Sequence, residues 1–549
     1  MKSIRTFVIA LAGCLPVLGF ALSAEAQTAL NVAGASAAQP FVAEVPIVLC
    51  DNPTYTGPTP TPVNIITGSA APRIYLDGAL GPAGNRTANS KFVTWVCEAT
   101  NSGVQLPNIV VRYQSTGSSD GIDKPNAFPT VNNDGVTPNP VARQVYVLEP
   151  VNPQQPPCGA STTETDALGR TRQFFPSCTV FSPNPNTNPA GALVVNMGVA
   201  DVAATSFGQT SVGWANNVIQ GQIVVGPRND SNITTTRPVI VPFAILVGSA
   251  VKLINTATGA VLTSTDNPMG RVRNLSRSQV EALYSRGITR WTQLNGIGAD
   301  TDNDGDVDTN DNQTIVICAR RAGSGTKAAF DQAVMKDANE HTGGSPNNSG
   351  SFNLTLGTPA SPTAGPTTLS GIANGDVRDC LQGNANPTIP ANDPFPFPGV
   401  RPAHNTAIAY MEAEQAATVN PAAAYVVGID GGKALRHDTF NGQENIASEA
   451  VYDGNEKENV RCGKFLFWVA EAFNTRNTPA ASGAEQTLIN AFLAAAEDQN
   501  IINNLPNVGR YWVSPQQMHV FKNSDKGPQL WKANVAGVPA CLTEVNNHP

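Results

Sequence analysis

Segments of mainly apolar residues, rather than strictly alternating apolar and polar positions, mark the predicted strands of this 549-residue chain. The most apolar run is PVIVPFAILV at residues 238–247, and its lack of alternation predicts a strand that is covered on both faces of its sheet. Mainly apolar segments at residues 30–33, 108–114 and 464–473 predict three further strands.

Apolar residues at helical spacing predict helices between these strands. Residues 275–294 contain one of them, in which Ser278 and Glu281 have the spacing of a capping box. Residues 406–419 and 485–496 are predicted as two further helices. Strands and helices therefore alternate through the second half of the chain, which predicts an α/β fold class.

Residues 314–335 join a predicted strand to a predicted helix through the turn RRAGSGT. Ser324 or Thr326 can cap the new helix, which leaves its first amide groups free to bind an anion. Arg320 adds a permanent positive charge and a planar set of donors suited to phosphate or carboxylate oxygens. The turn is not a nucleotide-binding P-loop, because Lys327 follows Thr326 instead of preceding a hydroxyl residue. We predict an anion-binding turn, and the alternative is an ordinary capped helix beside a solvated arginine.

Two more turns follow predicted strands and carry small or hydroxyl residues. GASAAQPF at residues 34–41 offers Ser36 as its only side-chain hydroxyl, and STGSSDGI at residues 115–122 offers several. Asp201 lies between apolar neighbours in GVADV. It is either the cap of a helix or turn, or an acid that recognises a proton on a ligand.

GSSDG at residues 117–121 matches the G-x-S-x-G pattern of a hydrolase nucleophile elbow, with Ser119 as the nucleophile. Pro125 and Pro129, however, follow where the helix of that motif should run, and the histidines form no acid-then-histidine pattern. A serine hydrolase is a minor alternative, and we expect that the protein is not an enzyme.

ADTDNDGDVDTNDN at residues 299–312 has the ligand spacing of an EF-hand calcium loop, with a glycine at the turn position. Its last ligand position holds Asp311, whose side chain is shorter than the usual glutamate. In this respect the loop resembles the calcium loops of dockerin-type modules. A solvated acidic loop is the alternative, but so many carboxylates repel one another unless a cation lies between them. We predict a structural calcium ion, with no organic cofactor, at six aspartates: Asp300, Asp302, Asp304, Asp306, Asp308 and Asp311.

Residues 1–26 have the pattern of a secretory signal sequence. Lys2 and Arg5 precede an apolar run and a small-x-small cleavage site at residues 24–26. LAGC, which ends at Cys14, resembles a lipoprotein signal, but the apolar run continues past it and favours plain secretion over a lipid anchor. We expect a periplasmic or extracellular protein with no membrane span.

Charge and cysteine content narrow the function classes further. Charged residues make up 14% of the chain and form no Lys/Arg run, which argues against nucleic-acid binding. The eight cysteines after the signal sequence form no C-x-x-C pair, and an even number in an exported protein favours disulfides. Eight cysteines allow about 105 connectivities, which the sequence leaves open. Pairing of sequence neighbours closes the shortest loops and is the pairing that we expect on that ground alone: Cys50–Cys97, Cys158–Cys178, Cys318–Cys380 and Cys462–Cys541.

Five blocks of the sequence, GASAAQPF, YQSTGSSDGI, GVADV, ITRWTQLNG and RRAGSGT, occur in the order found in a known family. Together they resemble the phosphate-binding proteins of bacterial ABC-type uptake systems. The resemblance implies a two-lobed, type II periplasmic-binding-protein-like fold, in which mixed sheets flanked by helices are joined by two crossover strands that form a hinge. The implied division is lobe 1 at residues 27–238 and 456–549 with irregular insertions at 46–104 and 123–192, and lobe 2 at residues 239–455 with a calcium-loop insertion at 296–312 and another at 337–400.

The same resemblance implies that phosphate or a related oxyanion binds between the lobes, with an ABC permease as a partner. The first turn departs from the family, which has Thr and an apolar residue where this chain has Ala38 and Gln39, so that Ser36 or backbone amides would supply the donor. The implied ligand-binding residues are Ser36, Ala38, Gln39, Ser118, Asp201, Arg320, Ser324, Gly325 and Thr326. The alternative from another class is an extracellular structural or adhesive protein that reuses the fold, which would suit the insertions and the low charge.

Overall fold

The computed structural model describes residues 28–51, 71–81, 86–87, 90–97, 109–115, 117–126, 158–165, 171–180, 194–207, 211–212, 222–223, 228–265, 267–285, 287–320, 324–336, 368–371, 374–382, 405–431, 459–477, 483–505, 511–532 and 541. The helices, strands and contacts that follow are those of these residues. The predicted signal sequence and the lipoprotein motif at Cys14 lie outside them.

The described strands are short except for two long ones near the middle of the sheet. They are β1 (Thr28–Gly34), β2 (Arg73–Leu76), β3 (Phe92–Cys97), β4 (Ile109–Ser115), β5 (Thr162–Thr165), β6 (Thr171–Phe175), β7 (Met197–Ala200), β8 (Ser211–Val212), β9 (Gln222–Ile223), β10 (Ile233–Gly248), β11 (Val251–Leu253), β12 (Asn274–Leu275), β13 (Ile297–Ala299), β14 (Val316–Arg320), β15 (Thr368–Gly371), β16 (Ala407–Glu412), β17 (Ala424–Ile429), β18 (Trp468–Arg476), β19 (Val520–Phe521) and β20 (Leu530–Trp531).

The described helices flank this sheet, and most of them have fewer than three turns. They are α1 (Gln39–Val42), α2 (Pro46–Asp51), α3 (Asp120–Asp123), α4 (Arg277–Tyr284), α5 (Gly325–Ala333), α6 (Asn374–Gln382), α7 (Ala413–Ala416), α8 (Gly483–Glu497) and α9 (Gln499–Asn504). Among the described residues, no helix is both long and apolar enough to cross a bilayer.

Fourteen of the described strands form one mixed sheet, in the order β15-β14-β16-β10-β18-β7-β1-β4-β3-β2-β6-β5, with β17 paired to both β10 and β12. The α/β fold class with a mixed sheet flanked by helices is therefore confirmed. Strand β10 contains the predicted strand at residues 238–247, all of which are buried.

Strand β10 connects two parts of the sheet. Residues 233–242 pair antiparallel with β18, whereas residues 243–248 pair with β16 on one edge and β17 on the other. We call the strands beyond β18, within residues 28–200, the β1–β7 part, and the strands beyond β10, within residues 316–429, the β14–β17 part.

Each part contains parallel strands whose carboxyl ends face the same way. In the β1–β7 part, β1 pairs in parallel with β4 and β7. In the β14–β17 part, β14 pairs in parallel with β15 and β16. Because the carboxyl ends of parallel strands share one edge of a sheet, the segments that follow these six strands form two groups of neighbours.

The four predicted disulfides are all present: Cys50–Cys97, Cys158–Cys178, Cys318–Cys380 and Cys462–Cys541. The first links α2 to β3, and the third links β14 to α6. The second lies beside the β5–β6 hairpin. Residues 46–104 and 123–192 were predicted as irregular insertions, yet both contribute strands to the main sheet, where β2 pairs with β6 and β6 pairs with β5.

Two predicted elements are wrong. The helix expected at residues 406–419 is instead strand β16 followed by the single turn α7. Every residue of β16 is buried, and the strand pairs with both β10 and β14, so tertiary pairing overrides the helical propensity of this alanine-rich sequence.

The capping box of α4 was expected at Ser278 and Glu281 but is formed by Ser276 and Gln279. Ser276 Oγ accepts a hydrogen bond of 3.1 Å from the Gln279 amide, and Gln279 Oε1 accepts one of 2.8 Å from the Ser276 amide. Both pairs have the same spacing, and the helix begins one residue before Ser278. Spacing alone therefore did not distinguish them.

Candidate functional site

The segments that follow β1, β4 and β7 bring three polar side chains to one edge of the β1–β7 part. Ser36 follows β1, Ser118 precedes α3, and Asp201 follows β7 directly. Ser118 Oγ donates a hydrogen bond of 3.1 Å to Asp201 Oδ1 and accepts one of 3.3 Å from the Asp201 amide. These two bonds hold the Asp201 carboxyl group, which is 1% exposed, in one orientation.

Strand β14 and helix α5 supply the second group of polar residues. Arg320 is the last residue of β14, and Gly325 and Thr326 are the first two residues of α5. Ser324 is the cap of α5, because its Oγ accepts a hydrogen bond of 3.3 Å from the Lys327 amide. The first amides of a helix have no partner within it, so this turn can present N–H groups to an anion.

Hydrogen bonds join the two groups directly. Thr326 Oγ1 lies 2.9 Å from Asp201 Oδ2, and Arg320 Nη2 donates a bond of 2.9 Å to Ser36 Oγ. The structure therefore brings together residues from both parts of the sheet that sequence analysis proposed as ligand-binding: Ser36, Ser118, Asp201, Arg320, Ser324, Gly325 and Thr326.

The other two proposed residues, Ala38 and Gln39, lie at the start of α1 and are buried. The side-chain amide of Gln39 donates a hydrogen bond of 2.9 Å to the carbonyl of Thr87, which precedes β3 in the sequence. The backbone amide of Ala38 donates to the carbonyl of Ala35 at 3.2 Å. Neither group is hydrogen-bonded to the Arg320 and Asp201 group.

Asn374 and Glu412, which sequence analysis missed, contact the side chain of Arg320. Asn374, the first residue of α6, accepts a hydrogen bond from Arg320 Nη1. Glu412, the last residue of β16, has its Oε1 atom 3.8 Å from Arg320 Nη1 and 2.7 Å from Thr326 Oγ1. An acid between apolar neighbours, the signal that drew attention to Asp201, is also present at Glu412.

The carboxyl groups of Asp201 and Glu412 have higher pKa values than exposed carboxyl groups. Burial raises the pKa of Asp201, although the hydrogen bond with Thr326 and the charge of Arg320 act in the opposite direction. Burial likewise raises the pKa of Glu412 to about 7, against the lowering effect of Arg320. Removing a carboxylate from water disfavours its charged form, and one buried arginine does not compensate for both.

The structure separates the two serines of GSSDG. Ser118 contacts Asp201, whereas Ser119 lies at the start of α3 and is only partly buried. The serine that the hydrolase pattern would use as a nucleophile is therefore not the one that reaches the Arg320 and Asp201 group.

The acidic loop lies between β13 and β14, and its aspartates have different environments. Carboxylate oxygens of Asp300, Asp302 and Asp304 lie within 4.8 Å of one another. Asp311 instead accepts hydrogen bonds from the Thr301 side chain at 2.9 Å and the Asp308 amide at 3.0 Å. Asp306 and Asp308 are exposed.

The environment of the Asp300 Oδ1 atom indicates whether a cation fits this loop. Asp300 is 4% exposed, and among the described residues its Oδ1 atom has no hydrogen-bond partner. A buried carboxylate oxygen without a donor is costly, and coordination of a cation would remove that cost. Three converging carboxylates supply the oxygen ligands that calcium prefers, so Asp300, Asp302 and Asp304 fit such an ion.

One part of the chain is similar to a known protein family. Residues 214–457 match a model of the PBP superfamily domain, and this stretch contains β10 to β17 with Arg320, Thr326 and Glu412. A search of curated proteins finds no match.

Similar solved structures come from three bacteria. A protein assigned as a phosphate ABC transporter substrate-binding protein from Clostridium perfringens, solved with bound phosphate, has 12% identity and a TM-score of 0.35, with 88% of this chain and 99% of that one covered. An ABC-type phosphate transport receptor from Vibrio cholerae has 13% identity and a TM-score of 0.27, with 60% and 82% covered. PstS from Borrelia burgdorferi has 10% identity and a TM-score of 0.25, with 52% and 72% covered.

The family match covers the half of the site that contains Arg320 and α5, and the mixed α/β sheet extends on both sides of it. The resemblance found in the sequence is thereby confirmed at the level of this match: residues 214–457 are similar to the PBP superfamily domain.

Proposed function

We propose that the protein is an exported solute-binding protein that holds phosphate or a related oxyanion between the β1–β7 and β14–β17 parts of the sheet. The observation that carries the proposal is the set of hydrogen bonds between these parts, from Arg320 to Ser36 and from Thr326 to Asp201. Donors that already converge from both sides need little rearrangement to surround one small anion.

The donors of the site suit a tetrahedral oxyanion. Arg320, which is 2% exposed, supplies a positive charge and two or more N–H groups. The first amides of α5 and the hydroxyl groups of Ser36, Ser118 and Thr326 add neutral donors around it. Burial strengthens each of these interactions relative to water.

Asp201 would select among oxyanions. An ionised carboxylate only accepts hydrogen bonds, so it attracts a ligand oxygen that carries a proton and repels one that does not. Phosphate keeps at least one proton near neutral pH, whereas sulfate keeps none. Contact between buried Asp201 and sulfate would cost at least several kcal/mol, which corresponds to discrimination of about 10³-fold or more.

The compartment and the partner belong to the same proposal. Four disulfides favour an oxidising compartment, which agrees with the secretory pattern of residues 1–26. We therefore infer a periplasmic or extracellular protein that delivers its anion to an ABC permease.

We also propose that the acidic loop binds calcium as a structural ion. The buried Asp300 Oδ1 atom and the nearby carboxylates of Asp302 and Asp304 support this proposal. The loop ends shortly before β14, so an ion there would stiffen the connection to the strand that ends at Arg320.

Competition calorimetry with phosphate and sulfate tests the proposed function. Wild type should bind phosphate and exclude sulfate. Asp201→Asn, which supplies an amide donor at similar volume, should admit sulfate and change phosphate affinity much less. Arg320→Ala should weaken both anions, whereas the control Arg112→Ala, which removes a buried arginine of β4, should not change the preference.

Wild type that binds sulfate as tightly as phosphate would show that Asp201 does not select the ligand. If no small anion gives binding heat or raises the melting temperature, the proposal fails. The structural or adhesive alternative would then be favoured.

A further inference from the structure

Four carboxyl groups are buried around the candidate anion site. Asp201 follows β7, Glu412 ends β16, Glu414 lies in α7 and Glu471 lies in β18, and each is at most 3% exposed. Within 4 Å of Glu412, the described residues place one cationic group, that of Arg320. Four ionised carboxylates beside one arginine would repel one another strongly. Some of these carboxyl groups therefore carry protons.

The contacts of Thr326 show where one proton lies. A threonine hydroxyl donates one proton and accepts two. Thr326 Oγ1 lies 2.9 Å from Asp201 Oδ2 and 2.7 Å from Glu412 Oε1, and it accepts a bond of 3.3 Å from Arg320 Nη1. Since ionised carboxylates only accept hydrogen bonds, Thr326 can donate its single hydroxyl proton to only one of the two acids. The other contact is a hydrogen bond only if that second acid is protonated and donates to Thr326.

Glu412 is the better position for this proton. Asp201 also accepts a hydrogen bond from Ser118, which stabilises its charged form. Among the described residues, the second oxygen of Glu412, Oε2, has no hydrogen-bond partner. The negative charge is therefore better supported on Asp201, and the proton is better placed on Glu412.

The protonation of Glu412 changes what the site offers an anion. When Glu412 is ionised, it takes the hydroxyl proton of Thr326 and interacts with the charge of Arg320, so it competes with an anion for both donors. When it is protonated, it donates to Thr326 Oγ1, and the hydroxyl proton of Thr326 is available to the ligand or to Asp201.

We infer that Glu412 is a positioning residue that couples anion binding to the uptake of one proton, because its neutral form leaves the Thr326 hydroxyl and the Arg320 charge to the anion. This inference rests on the proposed function and adds to it. The site takes up an oxyanion and a proton together, so affinity falls as pH rises.

The surrounding groups agree with this assignment. Burial raises the pKa of Glu412 to about 7, Arg320 lowers it and the charge of Asp201 raises it. Burial raises the pKa values of Glu414 and Glu471 well above their usual range, and interaction with Glu412 raises them further. The charged and titratable groups that interact with Glu412 are Arg320 from β14, Asp201 from the segment after β7, Glu414 from α7, Glu471 from β18 and Tyr113 from β4.

The test is calorimetric titration with inorganic phosphate at pH 8, in two buffers whose ionisation enthalpies differ. Wild type, Glu412→Gln and Glu414→Gln are compared. Glutamine at position 412 is neutral at every pH and can donate to Thr326 as the protonated acid does. Glu414 is the matched control, because it is equally buried and its carboxyl accepts from Trp512 at 3.1 Å rather than contacting Thr326.

Phosphate exchanges a proton of its own near neutral pH, so the difference between proteins isolates the contribution of Glu412. Wild type and Glu414→Gln should take up about one proton more than Glu412→Gln. Glu412→Gln should bind phosphate about tenfold more tightly than wild type at pH 8, and the difference should vanish near pH 6. At pH 6, where Glu412 is protonated in the ligand-free protein, the infrared band of a buried protonated carboxyl group should be weaker in Glu412→Gln than in wild type.

The outcomes separate this inference from the proposed function. Equal proton uptake by all three proteins with phosphate bound would overturn the inference alone, as would loss of the linkage in Glu414→Gln. No phosphate binding by any of them would overturn the proposed function and, with it, the anion linkage. If Glu412→Gln does not fold, Glu412→Asp is measured instead. This variant should keep a titrating group and therefore a pH-dependent affinity for phosphate.

Discussion

Gly325 and Ser118 approach so closely that a Cβ atom at Gly325 would lie 2.1 Å from Ser118 Oγ. The same atom would lie 2.8 Å from the Cβ atom of Asp201. The first turn of α5 thus packs against the β1–β7 part with no room for a side chain. Glycine is needed here because of this close approach between the two parts of the sheet.

Gly325→Ala should therefore disrupt the site. The added methyl group must push α5 away from Ser118, which separates Thr326 from Asp201, so we expect loss of about 1 to 3 kcal/mol in stability and at least tenfold weaker phosphate binding. Gly483→Ala is the matched control, because Gly483 is also the first residue of a helix but a Cβ atom added there would meet no atom within 4 Å. Chemical denaturation and calorimetry check both variants. A Gly325→Ala protein with unchanged phosphate affinity would contradict the expected close approach.

Calcium should raise the thermal stability of the protein. At a calcium concentration about 100-fold above Kd the gain should be about 2.7 kcal/mol, and Asp300→Ala combined with Asp304→Ala should abolish it. Asp306→Ala is the control. Sequence analysis included Asp306 among the six expected ligands, but its carboxylate lies outside the group of three that converge, and its position in an EF-hand loop supplies a backbone carbonyl that alanine keeps. Calorimetric melting with calcium and with a chelator measures the increment. The same increment in wild type and the double variant would exclude this site.

The stability of the protein should fall as pH rises through the range in which Glu412 ionises. The folded pKa of about 7 is higher than the ordinary value of 4.5, so the unfolded chain releases this proton first. Its stabilising contribution is present below pH 4.5 and is lost as pH rises to about 7, a change on the order of 3 kcal/mol. Glu412→Gln should flatten the dependence between pH 5 and pH 8, measured by urea denaturation. A steeper dependence in the variant would reverse the assigned sign.

The Cys318–Cys380 disulfide should affect the site as well as stability. It joins β14, which ends at Arg320, to α6, whose first residue Asn374 accepts a hydrogen bond from Arg320. Replacing both cysteines by serine should lower stability and weaken phosphate binding, because α6 is no longer tied to β14.

Replacing Cys158 and Cys178 by serine provides the comparison, since that disulfide lies beside the β5–β6 hairpin. Its sequence separation is 20, against 62 for Cys318–Cys380, which in the chain-entropy model makes its loss about 1 kcal/mol less costly. Phosphate affinity should be unchanged in this variant. Equal loss of affinity in both double variants would show that Asn374 does not support Arg320.

Local sequence determined much of the scaffold around the site. The run at residues 238–247 is apolar throughout, and burial on both faces is the only environment that suits it, as β10 confirms. The turn before α5 combines a capping serine with glycine, so Ser324 was identifiable from its neighbours alone. Disulfide pairing followed from loop length because every partner was the next cysteine along the chain.

Tertiary structure alone decided how the two halves of the site meet. Residues 406–419 are rich in alanine and read as a helix, yet pairing with β10 and β14 made residues 407–412 a strand and placed Glu412 at its end. Asn374 reaches Arg320 because β15 pairs beside β14, a long-range contact that no local pattern encodes. Propensity acts between near neighbours in sequence, whereas the placement of one hydroxyl between two buried acids depends on strands more than two hundred residues apart. The sequence therefore identified the residues that we propose bind an anion, and the tertiary structure decided which two buried acids meet at the Thr326 hydroxyl.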